Sequence, residues 1–475
     1  MSATRTKSAR NLIPLIAADA GPRNPKRVQR KSASAKLPES TVAFLLFLLV
    51  SAVLYVRPAE LIPELAGLPI YAGLVLASCF LAAKNLQWQF RVRTLRRQPI
   101  SLCVLGLLPA VVLSHLSHLF LYGVKQSGTL YIKVLVCYAL LVTLVNTPRR
   151  LHWFLMATAA CSSLMIAMCV ADFLGWHDFQ FIKHLNARYG VDATGNDMRV
   201  IRMRGTGIFE DPNDIALLIV LSGVICTYFL TDRMNPGLRF LWLIPLGFLT
   251  VGLVCTHSRG GLLAAGAAGA AMIATRYGKK YAVAMGLLGI GGLSLMAGRQ
   301  GDVSLSTGTG NSRILLWREG IEAIKSPDLL FGIGQGEYAE VAGLVAHNSF
   351  VHAFVELGLF GGTLFFGCFF FAGLAMYRLM DAKTRIVQPE LERLRPYIGA
   401  ILAGWCAGMF SLSRCYVAPT YMVAGITATY ITMAGQNLMP PRLLIRWDRK
   451  HFCTLIFASI GMLISLMTLV KIFSR

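Results

Sequence analysis

The sequence predicts an all-α, polytopic integral membrane protein of about 12–13 transmembrane helices, with a large periplasmic loop containing short helices. Three observations carry that expectation. Of the 475 residues, 55% are hydrophobic and only 15% are charged, at a mean hydropathy of +0.58, which excludes a soluble globule. Apolar runs of roughly 17–25 residues, enough to cross a bilayer, recur along the chain. Basic residues gather in every second connection between those runs.

Taken in order, the predicted spans lie near 41–56, 66–84, 100–121, 129–146, 151–172, 213–231, 239–256, 260–275, 281–297, 358–377, 396–413, 417–434 and 452–470. The basic connections are the first forty residues and 84–97, 149–150, 233–239, 276–280, 378–395 and 442–450. By the positive-inside rule these face the cytoplasm, so the N-terminus is cytoplasmic and the protein sits in the inner membrane. The formal net charge of +23 thus belongs to topology, and nucleic acid is not the partner. Residues 1–40 hold nine Lys/Arg against Asp19 and Glu39, with no apolar signal core and cleavage site. They read as a retained, disordered arm drawn to anionic lipid. Residues 41–475 read as one integral domain without internal repeats.

The eleven cysteines lie mostly in apolar runs, with no CxxC pair, and imply neither a disulfide framework nor a zinc site. His115 and His118 share a helix face near the outer end of the third span, where they are placed to line the cavity. Two histidines alone do not make a metal site.

Two outer segments are substantial, 173–212 and 298–357, and the short turn THSRGG faces the same side. In the second, Asn311 and Ser312 are placed to cap a helix whose Ile314, Trp317, Ile321 and Ile324 recur at helical spacing. Trp317 is then expected at headgroup depth. GIGQG, Gly332–Gly336, lacks a preceding strand and a following GK[ST], so it reads as a turn and not a phosphate loop. HNSFVHAFVELG starts another helix, with Asn348 or Ser349 at its N-terminus, and leads into the tenth span.

Three polar patches stand out on that side: Arg204 in RGTGIFEDPND, Arg259 in HSRGG, and His347 in AHNSF. Ionisable groups are costly near hydrocarbon, so their clustering at one depth marks a functional site. Taken alone, Arg204 is equally well an interfacial anchor, but Asp211, Pro212, Asn213 and Asp214 follow it as a shaped helix start. Glu210 or Asp211 is placed to hold an arginine by a bidentate pair. Arg259 sits in a turn with almost no linker, where Gly260 and Gly261 allow close approach. Its planar fork suits phosphate oxygens better than snorkelling does. His347 suits proton transfer near neutral pH, and nearby arginines favour its neutral form. His352 and Glu356 are secondary, Glu356 as an orienting partner.

Together, RGTGIFEDPND, SRGG, the loop with Arg313, Arg318, Trp317 and GIGQGEY, and HNSFVHAFVELGLFGG resemble the O-antigen ligase/polymerase superfamily, most strongly over 200–377. These are bacterial membrane glycosyltransferases that use undecaprenyl-diphosphate-linked glycans at the periplasmic face. The resemblance implies a class C glycosyltransferase-like architecture, with no nucleotide and no essential metal. It implies that Arg204 and Arg259 bind the donor diphosphate, with Arg313 and Arg318 assisting, and that His347 acts at the acceptor hydroxyl. Asp211, Asn213, Asn348 and Glu356 would support them. The basic arm and the thirteenth span depart from the family pattern.

The expected activity is glycan transfer from an undecaprenyl-diphosphate-linked donor to a hydroxyl, extending an exopolysaccharide or O-antigen. Ligation to lipid A-core and protein O-oligosaccharyl transfer share the same motifs, and polysaccharide export machinery is a possible partner. A lipid-linked oligosaccharide flippase is the alternative from another class. It predicts charges near mid-membrane and paired halves, whereas here the polar clusters lie at one edge.

Overall fold

The computed structural model describes residues 40–473 except 66, 192–195, 233–235, 279–308, 326 and 382–383. The basic arm and the span expected at 281–297 lie outside the described residues. Eight helices among those described are long and apolar enough to cross a membrane. The protein is therefore an all-α polytopic membrane protein, as its composition predicts.

The long helices, numbered here in chain order, are α1 Thr41–Val56, α2 Ile70–Gln89, α3 Pro99–Leu116, α4 Leu121–Leu144, α5 Pro148–Phe173 and α6 Pro212–Leu230. They continue with α7 Leu243–Cys255, α8 Arg259–Tyr277, α9 Thr309–Ala323, α10 Ser349–Leu379, α11 Pro389–Met409, α12 Ala418–Gln436 and α13 Arg449–Phe473. Helix α12 is buried almost all round, whereas α2, α7 and α13 bury little surface against the described residues.

Small residues set the closest approach. The buried positions of α8 are Gly261, Ala264 and Ala268. A Cβ on Gly404 of α11 would lie 3.0 Å from both the Ala264 carbonyl oxygen and the Ala268 methyl. Without a hydrophobic drive between helices in lipid, such backbone proximity is what packs them. Gly408, one turn on, lies against Leu217 of α6. The three helices α6, α8 and α11 are locked as a group.

Two local structures depart from expectation. The outer segment after α5 holds an antiparallel hairpin, β1 Leu185–Val191 with β2 Asp197–Arg202. Helix α9 begins at Thr309, so Asn311 and Ser312 lie inside it and not ahead of it. Trp317 is half-buried and donates its indole N–H to the Ala346 carbonyl at 2.6 Å, which anchors α9 beside His347.

Helix α10 contains a break that explains the GIGQG stretch. Gly358 has φ +62 and ψ −165, a conformation essentially confined to glycine. A break of this kind strips helical partners from neighbouring backbone groups, which must be paired elsewhere in a membrane protein. The segment Leu329–Gly334 supplies them. Ile333 and Gly334 donate to the Val355 and Glu356 carbonyls at 3.1 Å each. In return, Leu359 and Phe360 donate to the Leu329 and Leu330 carbonyls at 2.9 and 3.1 Å. Gly332, Gly334 and Gly336 all have positive φ, so the stretch is a turn-rich strap laid across the break. A Cβ at Gly358 would collide with Leu330 and Gly332 backbone, which cannot rotate away. Gly358→Ala is therefore expected to destabilise the protein by about 1–3 kcal/mol, read as a lowered Tm and faster proteolysis of the strap. An unchanged Tm and cleavage rate would rule the strap out.

His115 in the last turn of α3 and His118 just beyond its end hold this strap. His115 Nε2 lies 2.9 Å from Ser127 Oγ and 3.0 Å from the Gln335 carbonyl, and His118 Nε2 lies 2.9 Å from Asp328. Both histidines thus anchor the loop.

Candidate functional site

Helices α6, α8 and α10 all start at the same end of the bundle, joined there by the turn between α11 and α12. Each start is built by a capping side chain. Asp211 Oδ1 accepts from the Asn213 backbone and side-chain amides at 2.8 and 2.9 Å. Ser258 Oγ accepts from Gly261 N–H at 3.1 Å, and Asn348 Oδ1 accepts from Phe350 and Val351 N–H at 3.0 and 3.3 Å. The capping expectations for Asp211 and Asn348 hold. These caps leave three positive helix ends pointing the same way, a setting that favours an anion.

The Arg204 and Arg259 segments are knotted together. Buried Arg202 donates through Nε to the Thr256 carbonyl at 2.9 Å and through Nη2 to Asn213 Oδ1 at 3.0 Å. Asn213 Oδ1 also accepts from Ser258 Oγ at 2.8 Å. Met203 N–H donates to the Cys255 carbonyl at 2.9 Å, which continues the seam. Asn213 is thus the centre of the knot, with Arg202 as its unforeseen partner.

Arg204 and Arg259 are both half-buried beside this seam. Arg204 Nε donates to the Glu210 backbone carbonyl. This corrects the bidentate expectation, since neither the Glu210 nor the Asp211 carboxylate makes that pair. Arg259 is the first residue of α8, where the helix dipole opposes a cation and an anionic partner would offset the mismatch. Gly260 next to it has no room for a side chain, because a Cβ would strike Ser411 of the α11–α12 turn. A further arginine, Arg57 at the end of α1, pairs with Glu60 and lies over Gly207 of the RGTGIF motif.

His347 precedes α10 with φ +49, a left-handed backbone uncommon outside glycine. Its imidazole is partly buried. Burial lowers its pKa from the ordinary histidine value and Arg313 pushes the same way, against Asp211, with His352 adding to the lowering. Arg313, Asp211 and His347 are therefore electrostatic neighbours. Arg318 is not gathered with them: it is half-exposed and lies 3.9 Å from Glu322 on its own helix.

Glu356 does not orient His347. It is buried, with Oε1 2.8 Å from His352 Nε2 and accepting from Tyr338 N–H at 3.2 Å. Burial and then the Glu356 charge push the Tyr416 phenol well up, so that hydroxyl keeps its proton. This buried set fastens the strap behind His347.

Sequence reading also missed Arg414. In the turn between α11 and α12, its guanidinium makes a two-pronged ion pair with buried Asp214 of α6. Its backbone N–H donates to Ser349 Oγ at 2.9 Å, and Ser349 donates to the Leu412 carbonyl at 2.6 Å. Among the described residues, no group of three or more His, Cys, Asp and Glu is placed to hold a metal ion.

The fold is that of a polytopic helical membrane protein, with the Arg204, Arg259 and His347 segments at one end of the bundle. A family model described as O-antigen ligase matches residues 244–366, which run from α7 into α10. Over that segment the chain is similar to the O-antigen ligase family. No curated protein matches the chain. The matched segment contains Arg259, Arg313, Arg318, His347, Asn348 and Glu356; Arg204, Asp211, Asn213 and Arg414 lie outside it. At the level of that family, the match supports glycan transfer of the O-antigen ligase/polymerase type.

Proposed function

We propose that this protein transfers a glycan from an undecaprenyl-diphosphate carrier to a sugar hydroxyl, extending an exopolysaccharide or O-antigen. The observation that carries the reading is the convergence of the Arg204 loop, Arg259 and His347 at one end of the bundle. Arg204 and Arg259 hold the diphosphate, with Arg313 at the His347 side. The acceptor oxygen attacks the anomeric carbon as the bond to phosphate oxygen breaks. Its proton passes to the His347 imidazole, and undecaprenyl diphosphate leaves.

Negative charge grows on the leaving diphosphate, and guanidinium groups held by the seam stabilise it without having to reorganise. Direct displacement inverts the anomeric centre, and no metal is required. The alternation of basic connections supports a cytoplasmic N-terminus and an active site at the periplasmic face of the inner membrane. The ligase description of the matched family supports a second reading, transfer to lipid A-core.

The test is purified full-length protein in liposomes with an undecaprenyl-diphosphate-linked repeat unit, assayed with and without EDTA. Longer glycans of inverted linkage, insensitive to EDTA, are expected. Products formed only when lipid A-core is supplied would select the ligase. Carrier translocation without a new glycosidic bond would overturn glycan transfer and leave a flippase.

A further inference from the structure

The Asp214–Arg414 pair has a position that stability alone does not explain. Asp214 lies in the first turn of α6, and its side chain is only 4% exposed. Burying a carboxylate costs solvation, and an apolar pair of similar volume is often as stable. What the pair adds is a fixed geometry between two distant parts of the chain. On one side, Asp214 adjoins Asn213, the centre of the knot that binds the Arg204 and Arg259 segments. On the other, Arg414 N–H and the Leu412 carbonyl meet at Ser349 Oγ, in the first residue of α10 and two residues from His347. The Arg414 carbonyl also accepts from Thr420 Oγ1 at 2.7 Å, which ties the turn to α12. A continuous polar route therefore runs from the arginine-bearing helix starts to the start of α10.

The geometry points to Arg414 as a positioning residue of the transfer site, its pair with Asp214 setting the gap between the arginine-bearing segments and His347. The inference rests on the proposed glycan transfer. Arg414 need not touch substrate to act in this way. A rigid bidentate fork fixes both distance and angle, and Lys in its place keeps the charge but not the angle. Misplacement of reacting groups by about 1 Å costs on the order of 100-fold in rate.

Three variants test this with donor affinity and single-turnover transfer measured separately. Arg414→Lys should lower the transfer rate by about 10–100-fold, with donor affinity within about twofold of the wild type. Asp214→Asn combined with Arg414→Gln, which removes both charges together, should do the same without stranding a buried ion. Ser349→Ala breaks the link to α10 without touching a charge, and should give the same pattern with a smaller loss, about 10-fold. It also covers the case in which the charge variants fail to fold. Weakened donor binding at an unchanged transfer rate would make Arg414 a donor ligand and overturn the positioning role. Wild-type rates in the folded variants would overturn it as well. If the wild-type protein itself transfers no glycan, the proposed function fails, which is a separate result.

Discussion

Arg259→Lys is expected to lower glycan transfer by about 10²–10³-fold, the range for loss of one preorganised donor to a developing anion. The protein should still insert and purify as the wild type does. The separation follows from where Arg259 stands. Its helix is capped by Ser258 and packed through Gly261, Ala264 and Ala268, none of which the substitution touches. What changes is the fork: Lys keeps a point charge but cannot offer two parallel N–H groups to neighbouring phosphate oxygens. Arg204→Ala should act in the same direction. Because both residues meet a group that is charged throughout the reaction, donor binding should weaken along with transfer. Size-exclusion profiles, donor binding and single-turnover transfer, measured on one preparation, check this. Transfer near the wild-type rate by folded Arg259→Lys would remove Arg259 from the site.

The membrane fold was legible because spanning helices are long, apolar and continuous, so their signal needs no distant partner. Helix starts were legible for a related reason. Asp211 and Asn348 each cap backbone within three residues of themselves. The start expected at Asn311 or Ser312 is displaced because helix α9 continues back to Thr309, past those polar residues. The hairpin was missed because its strands carry Arg188, Asp197 and Arg199 in place of alternating apolar residues. The larger misses are long-range pairs. His118 meets Asp328 across 210 residues and Arg414 meets Asp214 across 200, and no local pattern records either. Arg414 did leave one signal. By the alternation of basic connections it falls in a short turn on the side that also carries Arg204 and Arg259, where a charge set between two spans is costly. Arg202 was overshadowed by Arg204 two residues on, and only burial separates their roles: Arg202 builds the seam that Arg204 flanks.

Replacing His347 separates the proton-transfer step from carrier binding. His347→Ala should bind the undecaprenyl-diphosphate donor as the wild type does and transfer its glycan about 10²–10⁴-fold more slowly, the range for a lost general base. The imidazole is suited to the task because burial and Arg313 depress its pKa, so it stays neutral at pH values where an ordinary histidine is already charging. The sign is then fixed. A base works in its unprotonated form, so wild-type transfer should hold level as pH falls through the ordinary histidine range, around 6.5, and decline only in more acidic solution. Arg313→Gln removes one of the depressing charges, so the decline should move to higher pH. Asp211 raises the same pKa, but its substitution would also remove the cap of α6 and is a poorer probe. Residual transfer by His347→Ala should lose this acidic limb. The decisive measurement is single-turnover transfer against pH for the wild type, Arg313→Gln and His347→Ala, with donor binding followed in parallel. Full transfer by His347→Ala, or a residual rate that keeps the wild-type acidic limb, would end the base assignment. Catalysis would then rest on alignment and on stabilisation of the leaving diphosphate alone.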